Sequence, residues 1–337
     1  MNVLSLFDGM SCGQIALDKL GIPVNKYFAS EIDKYAIQVA RKNYPDMIHL
    51  GDVKEIDPSK LPKIDLLIGG SPCQGFSFAG KQLNFDDPRS QLFFEYVRLL
   101  EALKPKYFLL ENVKMKKESE QVITEILGVE PIEINSSLVS AQNRKRLYWT
   151  NIPVDGLPDD KGTVLSDVLE DGVTDREKSY CIDANYYKGG NLKSYFEKHR
   201  RQLVFTGGAW RGRYTVDGVR QDHKQKVAGL TTQRLEVRKD EKTNALTTVQ
   251  KDNVAVKIRD KSKCVRTGGR LSYDRHEWDS IDNMHWRKLT VTECERLQTV
   301  PDNYTCGVSN TQRYKMLGNG WTVDVIKHIF EGLKEEI

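Results

Sequence analysis

Residues 2–20 read NVLSLFDGMSCGQIALDKL. Val3–Phe7 is a short apolar run suited to a buried strand, and Gly13–Leu20 has helical spacing and stops at Gly21. Between them, Phe7-Asp8-Gly9-Met10-Ser11-Cys12-Gly13 makes a tight loop in which Gly9 permits the turn and Gly13 opens the helix. A strand, a glycine-bearing loop and a helix in so short a span form the first unit of an open α/β sheet.

The same rhythm continues outward. Lys26–Ser30, Met47–Leu50, Ile64–Ile68 and Tyr107–Leu110 read as strands, with Lys34–Asn43 and Ser90–Leu103 as helices. This alternation predicts a doubly wound parallel sheet with helices on both faces, whose ligands bind beyond the carboxyl ends of the strands. The first loop is not GxGxxG, which disfavours a dinucleotide. Glu31 follows the second strand, 22 positions after Gly9, where a carboxylate can accept from ribose hydroxyls. Asp52, in the GDV after the third strand, can accept from an exocyclic amine of an adenine.

The fourth strand runs into GGSPCQGFSFAGKQ (69–82), and the fifth ends in LLENV (109–113). Two glycines and a proline make the former a rigid loop around Cys73. Cys73 and Glu111 then leave adjacent strands towards one crevice. A thiol beside a carboxylate, with no His in either loop, is wrong for a cysteine protease. It suits an electron-poor heterocycle attacked by sulfur while a ring nitrogen takes a proton or hydrogen bond.

At 337 residues, the chain is long enough for two domains, or for one α/β domain with a large insertion. No apolar run spans a membrane, and the N-terminus lacks the basic segment of a signal peptide. The six cysteines are scattered, without CxxC or ligand spacing, which argues against a disulfide framework and a zinc site and for a reducing, cytoplasmic setting. The net charge of +4 hides an asymmetry: residues 191–270 hold 20 Lys+Arg against 8 Asp+Glu, a net of +12, leaving −8 for the rest. A localised basic segment on a mildly acidic body suggests contact with a polyanion. From 151 to 285 the pattern changes to strand-like fragments (Leu203–Thr206, Arg213–Val216, Val254–Ile258) separated by glycine turns. Helical pattern returns at 290–300 and Val323–Leu333.

Six stretches, in order, resemble the motifs of cytosine C5 DNA methyltransferases of the bacterial and phage type. They are FDGMSCG (7–13), SPCQGFSFAGKQ (71–82), ENV (111–113), QNRKRLYW (142–149), RKLTVTECERLQTVPDNY (287–304) and YKMLGNGWTVDVI (314–326). The resemblance implies a Rossmann-like S-adenosylmethionine-dependent domain over 1–150, a smaller β- and loop-rich target-recognition domain over 151–285, and a return over 286–337 that completes the first domain. It implies S-adenosylmethionine as methyl donor, S-adenosylhomocysteine as product, and no metal. Cofactor contacts would come from Phe7, Asp8, Gly9, Met10, Ser11, Cys12, Gly13, Glu31, Ile32, Asp52, Val53, Pro72, Leu92 and Asn319, with Cys12 a packing member of its loop.

By the same resemblance, Cys73 adds to C6 of cytosine, Glu111 engages N3, and Arg144 and Arg146 hold the base oxygen and support Glu111. The base must leave the duplex stack, with Gln74, Ser77 and Phe78 near the gap. Double-stranded DNA is the expected partner, read by 151–285, where Arg211, Arg213, Lys263, Arg266 and Arg270 beside glycine turns are the candidates. A monomer is expected, with room for a separately acting cognate restriction endonuclease. The first strand begins at residue 3, which favours an enzyme without an N-terminal regulatory domain. A tRNA-methylating relative would share the catalytic motifs, but the Cys-Phe-Thr signature of that branch is not found. A DNA-binding homologue without activity is disfavoured by the intact Cys, Glu and cofactor loop.

Overall fold

The computed structural model describes residues 1–71, 90–172, 174–190, 192–205 and 286–336, together with the short strands 208–213, 215–216, 219–220, 232–237 and 253–254. Contacts divide the chain into two compact units. The first comprises Met1–Val164, Lys178–Lys188 and Val291–Ile337; the second comprises Leu165–Glu177 and Gly189–Thr290. Among the described residues no helix is long and apolar enough to cross a membrane.

The first unit begins with β1 (Asn2–Leu6), α1 (Cys12–Leu20), β2 (Lys26–Ser30), α2 (Lys34–Asn43) and β3 (Ile48–Gly51). It continues through β4 (Leu66–Gly69), α3 (Ser90–Leu103), β5 (Tyr107–Val113), α4 (Lys117–Leu127), β6 (Ile132–Asn135) and β7 (Lys145–Thr150). Seven strands lie in the order β3-β2-β1-β4-β5-β7-β6. The pairs from β3 to β5 are parallel, while β7 is antiparallel to both β5 and β6. The chain winds outward from β1 to β3, then returns to place β4 on the other side of β1. Loops leaving β1 and β4 therefore diverge, which opens a crevice at their carboxyl ends.

Parallel strands buried on both faces are continuous apolar runs, and β4 is fully buried. Leu4, Leu67, Phe93, Leu110 and Trp149 in this core are 0% exposed. Each such side chain contributes ~1.5–3 kcal/mol by leaving water. α1 ends where Gly21 takes φ 68, and the Asp33 side chain caps α2 by accepting from Tyr35 N–H. Gly13 opens α1 close against β4: a Cβ there would lie 2.3 Å from Ile68 Cδ1 and would force that side chain to shift.

The second unit contains α5 (Leu165–Val168), α6 (Leu192–Lys198) and β8 (Leu203–Phe205). Its short strands follow: β9 (Gly208–Arg213), β10 (Thr215–Val216), β11 (Val219–Arg220), β12 (Thr232–Val237), β13 (Asn253–Val254) and β14 (Trp286–Lys288). They pair antiparallel as β12-β9-β13, β10-β11 and β14-β8. Of 213–216, expected as a strand, Arg213 lies in β9 and Thr215–Val216 form β10, while Tyr214 lies outside the described residues. Of 254–258, only Val254 lies among the described residues. Arg287 joins its ends by an ion pair with Asp171 at 2.6 Å.

The first unit closes with α7 (Val291–Leu297), α8 (Asn310–Asn319) and α9 (Val323–Phe330). α9 packs on α1, and Asp324 at its start pairs with Lys19 at 2.8 Å and Lys161 at 2.6 Å.

Candidate active site

The loop after β1 turns through positive φ at Phe7, Gly9 and Ser11 (57°, 61° and 67°). This path sends the Met10, Ser11 and Cys12 side chains inward, where all three are buried. Ser11 Oγ donates to Asp8 Oδ2 at 2.5 Å, and Tyr304 OH donates to the Met10 carbonyl at 2.8 Å. Burial pushes the Cys12 thiol up to about 12, so it remains a protonated packing group. Gly9 N–H donates to Glu31 Oε2, while Oε1 accepts from the Ile32 and Asp33 N–H groups, all at 2.8 Å. Next to that fixed carboxylate, Ile32 is 74% exposed, a large apolar face turned to solvent.

The other expected members of this edge separate into two kinds. Asp52 is partly exposed and caps the turn at Val53–Glu55, with Oδ1 accepting from Lys54 N–H at 3.0 Å. Val53 is buried, Leu92 packs partly buried on the same core, and Asn319 is exposed at the end of α8. Lys315, on the preceding turn of α8, pairs with Asp33 at 2.8 Å and so ties α8 to α2 beside Glu31.

Asp8 carries a testable pH dependence. Burial lifts its carboxyl to about 6 from 3.8, against hydrogen bonds from Ser11, Ser5 and Tyr27 that pull it down. Below the unfolded value both states hold the proton. As pH rises from about 4 to 6 the unfolded chain ionises first, so the folded state loses stability, and above 6 the deficit is constant at roughly 2–3 kcal/mol. Asp8→Asn cannot ionise, so its stability relative to the wild type should climb across that window and then level off. Urea denaturation at pH 4 to 8 measures this, and a difference independent of pH would contradict it.

Glu111 lies within β5, because pairing with β7 extends that strand beyond the expected Leu110; Glu111 stands opposite Tyr148 and Val113 opposite Arg146. The carboxylate is 8% exposed and held from two directions. Arg146 Nε forms an ion pair with Oε1 at 2.9 Å, and Trp321 Nε1 donates to Oε2 at 3.1 Å. Leu110 pairs with Gly69, which sets Gly70 against the same carboxylate. A Cβ on Gly70 would lie 2.9 Å from Trp321 Nε1 and 3.0 Å from Glu111 Oε2, so any larger residue would push on this contact. Asn112 Nδ2 donates to Ser71 Oγ at 3.4 Å, tying β5 to the start of the loop that carries Cys73. Trp321 and Gly70 were not among the expected site residues. The signal for Trp321 was its N–H donor, two positions after Asn319 in GNGW.

Arg144 corrects an expectation. It does not join Arg146 at Glu111; it precedes β7 and is 4% exposed. Its Nη1 donates to Cys181 Sγ at 3.3 Å and to the Ile182 carbonyl at 3.2 Å. Its Nη2 donates to the Gly318 and Gly320 carbonyls at 3.2 and 2.8 Å. The planar fork is consumed in bracing the turn that precedes Trp321. Arg144→Lys presents one ammonium with three donors where four acceptors diverge, leaving at least one unmet in a buried site. The expected loss is ~2–4 kcal/mol by urea denaturation, and a change within ~0.5 kcal/mol, the range of a neutral surface substitution, would contradict the brace.

Pro72, Cys73, Gln74, Ser77, Phe78, Lys263, Arg266 and Arg270 lie outside the described residues. Arg211 and Arg213 are in β9, in register with Arg234 and Thr232 of β12.

Known proteins share this frame. The S. pombe Dnmt2 methyltransferase structure superposes with a TM-score of 0.61 at 16% identity, covering 99% of both chains. Entamoeba histolytica EhMeth superposes with a TM-score of 0.65 at 16% identity, covering 100% of this chain and 98% of that one. In sequence, the type II methyltransferase M1.ScrFI of Lactococcus lactis subsp. cremoris is 32% identical over 93% of this chain and 72% of that protein. The orphan methyltransferase M.SPRI of Bacillus phage SPR is 28% identical over 99% of this chain and 97% of its own. The profile described as C-5 cytosine-specific DNA methylase matches residues 1–335, essentially the whole sequence, and the chain belongs to that family.

Proposed function

We propose that this protein transfers a methyl group from S-adenosylmethionine to C5 of cytosine within a specific sequence of double-stranded DNA, with Cys73 as nucleophile. The observation that carries this reading is the Glu111 carboxylate, clamped by Arg146 and Trp321 on the strand next to the one that leads into Cys73. C5 of cytosine is too weak a nucleophile to be methylated unaided. Addition of the Cys73 thiolate to C6 forms an S–C6 bond and pushes the C5–C6 π electrons through C4 onto N3, which takes a proton from the Glu111 carboxylic acid; that proton returns to Glu111 as the enamine carbon C5 attacks the methyl group. Once C5 has taken the methyl group, a base removes its proton. The C5–C6 double bond re-forms, the S–C6 bond breaks and the thiolate is regenerated.

The residues present fit the methyl donor. Glu31, fixed by three backbone N–H groups, suits ribose hydroxyls, and exposed Ile32 offers an apolar face for an adenine ring beside it. Asp52 lies at the end of β3 for the exocyclic amine. When bound, S-adenosylmethionine supplies an electrophilic methyl on a sulfonium and leaves as S-adenosylhomocysteine. The target base reaches Cys73 only after leaving the stack. Recognition is assigned to 151–285, whose basic segment matches the charge of a duplex backbone.

Bisulfite sequencing of DNA from cells expressing the protein tests this reading. One short motif should be protected at a cytosine. Unmodified DNA with newly methylated tRNA would overturn it in favour of the RNA-directed alternative.

A further inference from the structure

Trp321 has no part in the bond-making steps above, yet the fold takes care to place it. Gly320, before it, has its carbonyl held by Arg144 Nη2 at 2.8 Å and by Gln298 Nε2 at 3.3 Å. Thr322, after it, donates to Gln298 Oε1 at 2.8 Å and accepts from Ser136 Oγ at 2.9 Å. The Trp321 carbonyl faces Cys12 Sγ at 3.7 Å. On its far side Gly70 lies so close that a Cβ there would stand 2.9 Å from the indole nitrogen and 3.0 Å from Oε2 of Glu111. These ties aim one N–H at one carboxylate oxygen.

We propose that Trp321 is a positioning residue: its indole N–H fixes the plane of the Glu111 carboxyl group and yields Oε2, with the proton it then carries, to the ring nitrogen of the incoming base. This rests on the proposed use of Glu111. Arg146 grips Oε1 through Nε, and one contact of that kind leaves the carboxylate plane able to swing about its own bond. The Trp321 contact removes that freedom. The two holds are unequal. A charged guanidinium binds a carboxylate more strongly than a neutral indole N–H does, so Oε2 is the oxygen released when a third partner arrives. The site is thus pre-aligned without being blocked.

A double-mutant cycle separates this role from simple packing. Single-turnover transfer from tritiated S-adenosylmethionine to unmethylated plasmid duplex is measured for wild type, Trp321→Phe, Glu111→Gln and the double variant. S-adenosylhomocysteine affinity is measured by calorimetry. Trp321→Phe keeps the ring bulk and deletes the donor. It should slow transfer about 10-fold or more, the worth of one hydrogen bond to a charged group, with cofactor affinity within about 3-fold. In the Glu111→Gln background, the same change should alter the rate by less than about 3-fold, because an amide gives no proton to the ring nitrogen and its alignment no longer serves the reaction. Equal losses in both backgrounds would show a structural role and overturn the proposal. A slow Glu111→Gln beside a wild-type rate for Trp321→Phe would overturn it alone. A wild-type rate for Glu111→Gln would overturn the proposed use of Glu111 and this inference with it. Should Trp321→Phe not fold, Gly70→Ala perturbs the same contact from the other side. It should slow the wild type and leave Glu111→Gln nearly unaffected, with equal losses again contradicting the proposal.

Discussion

Cys73→Ser abolishes methyl transfer while leaving the affinities for S-adenosylhomocysteine and duplex DNA within a few-fold of wild type. Ionisation decides this outcome. A thiol is measurably ionised near neutral pH and its thiolate is intrinsically nucleophilic, whereas a serine hydroxyl is ionised hardly at all. Nothing in the loops around it offers a general base: GGSPCQGFSFAGKQ and LLENV contain no His, and the carboxylate of Glu111 is engaged by Arg146 and Trp321. The hydroxyl therefore stays protonated, and without addition at C6 the C5 carbon stays unreactive. A loss of roughly 10³–10⁶-fold is expected, within the range seen when a nucleophile is deleted. The change removes one sulfur and no charge contact to the duplex, so binding is preserved. Residual turnover above a few per cent would show that another group makes the attack.

Glu111→Gln lowers the rate by ~10²–10⁴-fold, the usual worth of general acid–base assistance. Both oxygens of Glu111 face nitrogen groups, Oε1 in an ion pair with Arg146 Nε at 2.9 Å and Oε2 accepting from Trp321 Nε1 at 3.1 Å. A glutamine has one acceptor oxygen, so its amide group must turn NH₂ towards one of these donors. The variant thus loses its charge, its proton chemistry and one of its two anchors. Cofactor affinity should change little, since the loop after β1 and Glu31 form a separate set of hydrogen bonds. A parallel fall in cofactor affinity and rate would instead mark Glu111 as a structural residue.

Much of the first unit was legible in the sequence, because parallel strands buried on both faces are written as uninterrupted apolar runs. The strands from Asn2 to Leu110 fall where such runs fall, within one or two residues. The end of β5 was not legible, because it depends on a partner. Glu111 to Val113 are held as strand by β7, whose first residues, Lys145 and Arg146, are charged and give no strand signal of their own. Arg144 was misread for a related reason. Two residues before Arg146, it would share a face with it if the strand had already begun, yet it sits one residue before β7 and turns into the buried turn at Gly318–Gly320. Trp321 reaches Glu111 across 210 positions, and no local pattern carries that contact. The carboxylate of Glu31, expected to face ribose hydroxyls, accepts from Gly9 N–H, a contact between strand end and glycine loop that follows from the regular geometry of the fold.

The most direct measurement is covalent trapping on DNA. A duplex carrying 5-fluorocytosine at the position found by bisulfite sequencing is incubated with the protein and S-adenosylmethionine. Fluorine at C5 cannot be removed as a proton is, so the S–C6 bond cannot break after methylation and the adduct persists. The account predicts a stable, methylated one-to-one complex that resists denaturation, with peptide mass analysis placing the nucleotide on Cys73 and no complex from Cys73→Ser. Methylation of ordinary DNA by the same preparation with no trapped complex, or an adduct on any of the other five cysteines, would contradict it.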